Sequence, residues 1–209
     1  MKCVYVYGAG GLGTVVAETA EAAGYEVVGF IDDDERLYST AVLGLAVLGG
    51  PEVVPRGAQV AIAVGDLYAR ARLLASARSK GWQLPTIVHP QAIVSRSACI
   101  GDACIVKPNA VVETRATIGD GCIINTACSV AHDCVVGACS HIASGCRLGG
   151  NVRIGQNCLI GIGTAIRPRV TIGSGSVIGA GSTVVCDIPE SMTAFGNPAR
   201  VVGLRREAS

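Results

Sequence analysis

From Val94 to Val184 an aliphatic residue returns at every sixth position: Val94, Ile100, Val106, Val112, Ile118, Ile124, Val130, Val136, Ile142, Leu148, Ile154, Ile160, Ile166, Ile172, Ile178 and Val184. A helical period of about 3.6 or a strand period of about 2 would lose phase with this series within a few turns. A strict six-residue repeat predicts a parallel β-helix, in which each short strand is one wall of a coil. Glycine often follows the aliphatic, as at Gly101, Gly119, Gly137, Gly155 and Gly173, and a small residue comes four positions after it, as at Cys104, Ala110, Cys122, Ser140 and Ser176. The expected core is a ladder of stacked aliphatics, with small residues in tight corners and glycine supplying the corner torsions. At about 4.8 Å per coil, about five three-walled coils make a prism about 25 Å tall.

Ahead of this ladder the pattern changes. Lys2 to Tyr7 reads as a strand, Gly8-Ala9-Gly10-Gly11-Leu12-Gly13 as a glycine turn, Thr14 to Ala23 as a helix, and Glu26 to Ile31 as a strand ending in Asp32-Asp33-Asp34. A further strand at Gln59 to Val64 leads through Gly65-Asp66 into a helix from Leu67 to Lys80, and Thr86 to Val88 forms a last strand before His89-Pro90. This is a βαβ unit with a G-x-G-x-x-G turn and acidic residues about 20 positions further on. Such glycines let backbone approach a diphosphate at a helix N-terminus, and a carboxylate after the second strand can hold a ribose or base. Gly8, Gly10, Gly11, Gly13, Asp32, Asp33 and Gly65 are the candidate nucleotide contacts. A dinucleotide domain needs two such halves; one half predicts a mononucleotide or nucleotide-sugar pocket.

Composition narrows the class. Aromatics are only 4% of the chain, as a β-helix interior of Val, Ile and Ala requires, and the net charge of +1 supports neither nucleic-acid nor anionic-membrane binding. Ten cysteines would suggest disulfides in a small secreted protein. Six of them (Cys104, Cys122, Cys128, Cys134, Cys146 and Cys158) fall on the small corner position, where cysteine is expected to act as a buried apolar residue. Without a signal peptide or a long apolar stretch in the sequence, the expected location is the reducing cytoplasm.

These residues resemble the hexapeptide-repeat acyltransferases, and the two units together resemble their sialic-acid O-acetyltransferase-like branch, which includes bacterial nucleotide-sugar N-acetyltransferases. The most telling segment runs from Asn125 through Ala131-His132-Asp133-Cys134 to Ser140-His141-Ile142. The resemblance implies a small Rossmann-like α/β domain over residues 1–88, a left-handed parallel β-helix over 89–188, and a tail over 189–209 that borders coenzyme A. It implies acetyl-coenzyme A as co-substrate, no metal, and a homotrimer with sites between subunits. His132 is then the general base, a role that suits histidine at neutral pH. Asp133 is its partner, Asn125 touches the sugar, and His141 meets the acetyl donor. Gly150, Ile162, Gly163 and Ala180 are expected along the pantetheine arm. Arg167 and Arg200 are expected near coenzyme A, although Arg167-Pro168-Arg169 reads equally as an ordinary solvated face. Leu12 and Thr14 depart from the family pattern, where histidine and a long residue are common.

The implied reaction is acetyl transfer to the amine of a nucleotide-linked 4-amino-4,6-dideoxy sugar. Two alternatives stand beside it: O-acetylation of sialic acid or another sugar hydroxyl, and a γ-carbonic-anhydrase-like zinc enzyme or non-catalytic prism. Zinc needs three well-placed protein ligands, and only His132 and His141 lie in the repeats.

Overall fold

The computed structural model describes residues 2–205. The chain divides after Pro90 into two compact units. In the first, β1 (Lys2–Tyr7), α1 (Gly11–Ala22), β2 (Tyr25–Ile31), β3 (Ala41–Val42), β4 (Leu45–Gly49), β5 (Val60–Ile62), α2 (Leu67–Ser79) and β6 (Ile87–Val88) follow one another. The sheet runs in the order β3-β4-β2-β1-β5, all parallel except the hairpin partner β3. The order of β4, β2, β1 and β5 is that of one mononucleotide half of a doubly wound fold, which places the ligand crevice at the carboxyl ends of β1, β2 and β5.

The glycines of the first turn divide into two kinds. A Cβ on Gly8 would lie 2.6 Å from the Ala63 carbonyl oxygen, and one on Gly13 would lie 1.9 Å from the Gly8 carbonyl oxygen. These two let backbone pack on backbone. A Cβ on Gly10 or Gly11 would meet nothing within 4 Å, so the turn stays open there, at the N-terminus of α1. Gly13→Ala is therefore expected to destabilise this unit by about 3 kcal/mol, seen as a lower midpoint in denaturant, whereas Gly11→Ala leaves the midpoint near native.

In the second unit every hexapeptide contributes a two-residue strand, and the coil closes after three. Ser129–Val130 pairs with Val111–Val112 below and Arg147–Leu148 above, always eighteen residues apart. The first wall carries the strands from Ile93 to Val184, the second those from Cys99 to Ile172, and the third those from Ile105 to Ile178. The second residue of each strand points inward, and from Val106 to Val184 every one of these aliphatics is buried. The segment expected as a tail is instead a hairpin, Met192–Gly196 with Ala199–Leu204, whose first strand pairs with Val177–Ile178 and extends the third wall. Residues 206–209 of that expected tail lie outside the described residues.

Two details of the repeat differ from the sequence expectation. The glycine after each aliphatic is not the residue in the left-handed region. A Cβ there would strike the next coil, for example at 2.5 Å from the backbone of Gln156 for Gly137, so these glycines are needed for coil-to-coil approach. The left-handed torsion falls two residues later, at Gly121, Gly145, Gly163, Gly175 and Gly181, and at non-glycines including Arg115, Asp133 and Asn151. The corner cysteines are buried as expected, but they are also donors. The thiols of Cys104, Cys122 and Cys134 each reach a carbonyl fifteen residues ahead, on Gly119, Gly137 and Gly149, at 3.1 Å. The Ser140 hydroxyl makes the same bond to Gly155 at 2.8 Å. A thiol satisfies a carbonyl that the tight corner shields from water. All ten cysteines are free thiols.

Candidate active site

His132 lies two residues past the buried Val130, on the edge where the first wall turns into the second. Its side chain is 53% exposed. Nδ1 is 2.7 Å from Asp133 Oδ2. A carboxylate there selects the tautomer with hydrogen on Nδ1 and leaves the Nε2 lone pair free. The Nε2 side of the ring lies over Gly150, one coil further on, where a Cβ would stand 2.6 Å from Nε2. The backbone is fixed at both ends: His132 N–H donates to Glu113 Oε2 at 3.1 Å, and the His132 carbonyl accepts from Asn151 N–H at 3.0 Å.

Asp133 occupies the left-handed corner position, φ 60°, a conformation that Asp tolerates better than most side chains. Its carboxylate also receives a two-pronged bond from Arg115, Nε to Oδ1 at 2.7 Å and Nη2 to Oδ2 at 2.9 Å. Arg115, with His132 second, lowers the Asp133 carboxyl to about 2. Asp133 is thus an anion throughout the neutral range; it orients an imidazole and stabilises its charge but does not accept its proton.

The second expected cluster stands elsewhere on the prism. Asn125 follows the third-wall strand Ile123–Ile124, and His141 is the outward residue of the next strand on that wall. Asn125 Nδ2 lies 3.2 Å from His141 Nε2, and its Oδ1 accepts from Thr126 N–H at 2.8 Å. The edge between third and first walls that carries Asn125 also carries Ile162, Gly163 and Ala180, all exposed. Gly150 and Arg167 belong to the His132 edge, and Arg200 lies on the hairpin. One chain therefore holds two half-sites, His132–Asp133 with Gly150 and Asn125–His141 with Ile162, separated by the first wall. Among the described residues no group of three His, Cys, Asp or Glu is placed to hold a metal ion, and no helix is long and apolar enough to cross a membrane.

In the first unit a cavity of about 290 Å3 is lined by residues including Tyr7, Gly8, Asp32, Asp33, Val64 and Arg72. Asp32 is committed to the protein: its oxygens accept from Ala9 N–H at 2.8 Å and Asp34 N–H at 2.9 Å, tying the glycine turn to the end of β2. Asp33 accepts from the Tyr7 hydroxyl at 2.6 Å. Burial, with Asp33 beside it, pushes the Tyr7 phenol up, so it stays a donor. Gly65 supplies a carbonyl to the buried Arg70, which spans from α2 to the Val64 and Gly65 carbonyls. Sequence reasoning missed Tyr7, Arg72, Glu113 and Arg115. The last two stand about one coil before the His132–Asp133 pair, and counting back eighteen residues finds Arg115 from Asp133.

A coiled prism with an imidazole on its edge, in a chain that opens with a mononucleotide-type turn unit, defines a hexapeptide-repeat acyltransferase. Residues 3–77 match the PglD N-terminal domain, and residues 151–186 match the bacterial transferase hexapeptide (six repeats). No curated protein sequence matches the chain. Among solved structures, perosamine N-acetyltransferase from Caulobacter crescentus, in complex with CoA and GDP-perosamine and with one histidine replaced by asparagine, is 35% identical at a TM-score of 0.91; the match covers 97% of this chain and 98% of that one. The acetyltransferase domain of PglB from Neisseria gonorrhoeae is 40% identical at a TM-score of 0.90, over 97% of this chain and 100% of that one. WeeI from Acinetobacter baumannii is 27% identical at a TM-score of 0.85, over 97% and 100%. The chain belongs to the family of hexapeptide acetyltransferases with a PglD-type N-terminal domain.

Proposed function

We propose that this protein transfers the acetyl group of acetyl-coenzyme A to the amine of a nucleotide-linked 4-amino-4,6-dideoxy sugar, with His132 as general base. The observation that carries the reading is the His132–Asp133 pair at 2.7 Å, on a side chain that is 53% exposed and whose Nε2 is left without the carboxylate. The amine nitrogen attacks the thioester carbonyl, Nε2 takes the proton that nitrogen loses, and the C–S bond breaks to release coenzyme A. Asp133 holds the ring and balances the imidazolium. Support for the substrates comes from relatives that share the whole chain: one was solved with CoA and GDP-perosamine, and the PglB domain was also solved with acetyl coenzyme A.

The nucleotide is assigned to the cavity of the first unit, with its phosphates at the open amides of Gly10 and Gly11. The base is assigned to the space between Asp33 and Arg72. The two half-sites are complementary in content, one with the base and the other with His141 and the exposed Ile162. We assign the donor to the second, so a trimer that sets the His132 edge of one copy against the His141 edge of its neighbour would complete each site. Ten free thiols and a coenzyme A donor suit the reducing cytoplasm.

The test is mass spectrometry of the products formed from acetyl-coenzyme A with GDP-, UDP- and dTDP-linked 4-amino-4,6-dideoxy sugars. One of them is expected to gain a single acetyl group on nitrogen. If none does while sialic acid or another sugar hydroxyl is acetylated, the acceptor assignment is wrong and the donor chemistry stands. Mass detection avoids thiol reagents, which this cysteine-rich chain would consume.

A further inference from the structure

Arg115 stands on the coil before His132 and touches it only through Asp133. Its side chain is 64% exposed, and an exposed ion pair adds little to stability. The geometry is nonetheless specific. Both carboxylate oxygens are engaged by the fork, at 2.7 and 2.9 Å, and the oxygen that takes the longer prong is the one facing His132 Nδ1 at 2.7 Å. The root of Arg115 is itself held, with its N–H directed at Ser97 Oγ, 3.3 Å away, one coil lower, and its backbone in the left-handed region at φ 57°. The charged groups around the imidazole are Asp133 at the ring, Arg115 behind that carboxylate, and Glu113 at the His132 backbone N–H.

From this arrangement we infer that Arg115 is a positioning residue for acetyl transfer, resting on the reading of His132 as the base. A carboxylate on a corner has free torsions, and a planar fork fixes both its place and its plane. With Asp133 fixed, the imidazole plane is fixed and Nε2 keeps one direction.

The experiment compares Arg115→Met, Arg115→Lys and His132→Ala in the full-length protein, by steady-state kinetics and by thermal unfolding. Arg115→Met is expected to lower kcat about tenfold, a fraction of the whole general-base effect, with both KM values within about twofold. Arg115→Lys keeps the charge but not the fork, so its kcat should remain depressed while its melting temperature stays native. The inference is overturned if Arg115→Met keeps the native kcat, if Arg115→Lys restores it, or if activity falls only in step with the melting temperature. His132→Ala separates the two layers: a variant that collapses while Arg115→Met is native removes this inference alone, and one that keeps the native rate removes the base assignment with it.

Discussion

His132→Ala is expected to lower kcat by about a hundredfold to ten-thousandfold, the range that a positioned general base contributes, with the KM for either substrate little changed. An amine attacking a thioester must shed a proton as the new C–N bond forms, and Nε2 is the free basic atom of the Asp133-bound ring. The side chain is half exposed and outside the aliphatic stack, so the variant should unfold at the native temperature. Rates of acetylated-sugar formation followed by mass spectrometry, beside the melting curve, check both halves. A variant that keeps the native rate would move the base to another residue.

Gly150→Ala should be nearly as damaging to activity for a different reason. The added Cβ would lie 2.6 Å from His132 Nε2 and 2.7 Å from the neighbouring ring carbon. The obstructed atoms are the far end of an exposed side chain, so the ring swings aside and the coil is not strained. A displacement of about 1 Å at a reacting atom can cost about a hundredfold in rate. The expected signature is a kcat about a hundredfold down with native thermal stability. Gly137→Ala makes the contrast: its Cβ would strike backbone 2.5 Å away, and there stability should fall. If Gly150→Ala is fully active, Nε2 is not the working atom.

The ladder of aliphatics was legible because every inward residue of the prism falls on one period, and the β1-turn-α1 unit because glycine spacing and the Asp32-Asp33 pair are local signals. The β3–β4 hairpin was not. Its two-residue turn is Leu43-Gly44, both at positive φ. The usual cue for such a turn is Asn-Gly or Asp-Gly, and an exposed leucine in the first turn position gives no sign of it. The helix after the glycine turn begins at Gly11 and not Thr14, because glycine's poor helix propensity hides a start that the sheet dictates. In the site, the neighbours His132 and Asp133 could be read from the chain. Arg115 could not be read from a six-residue period, and Gly150 was expected along the pantetheine arm and not against the His132 ring, since what stacks on His132 is set by the eighteen-residue coil. The same arithmetic places His141 on the third wall and Asn125 on the edge that follows it, although sequence proximity alone suggests one cluster with His132.

The uniform register of the coils also decides which insertions and deletions this protein tolerates. Each strand of the walls bonds to strands eighteen residues away, so a segment of one whole coil could be added above or below the site and every remaining pair would keep its partner. The cluster of Arg115, His132 and Gly150 spans three successive coils and would travel intact with them. Loss of a single residue within these coils has the opposite effect: it turns the inward side chains beyond it to the outside. Length variation among proteins built this way is therefore expected in whole coils or in excursions from a corner, and the edge that carries Arg115, His132 and Gly150 is the part of the prism where neither is expected.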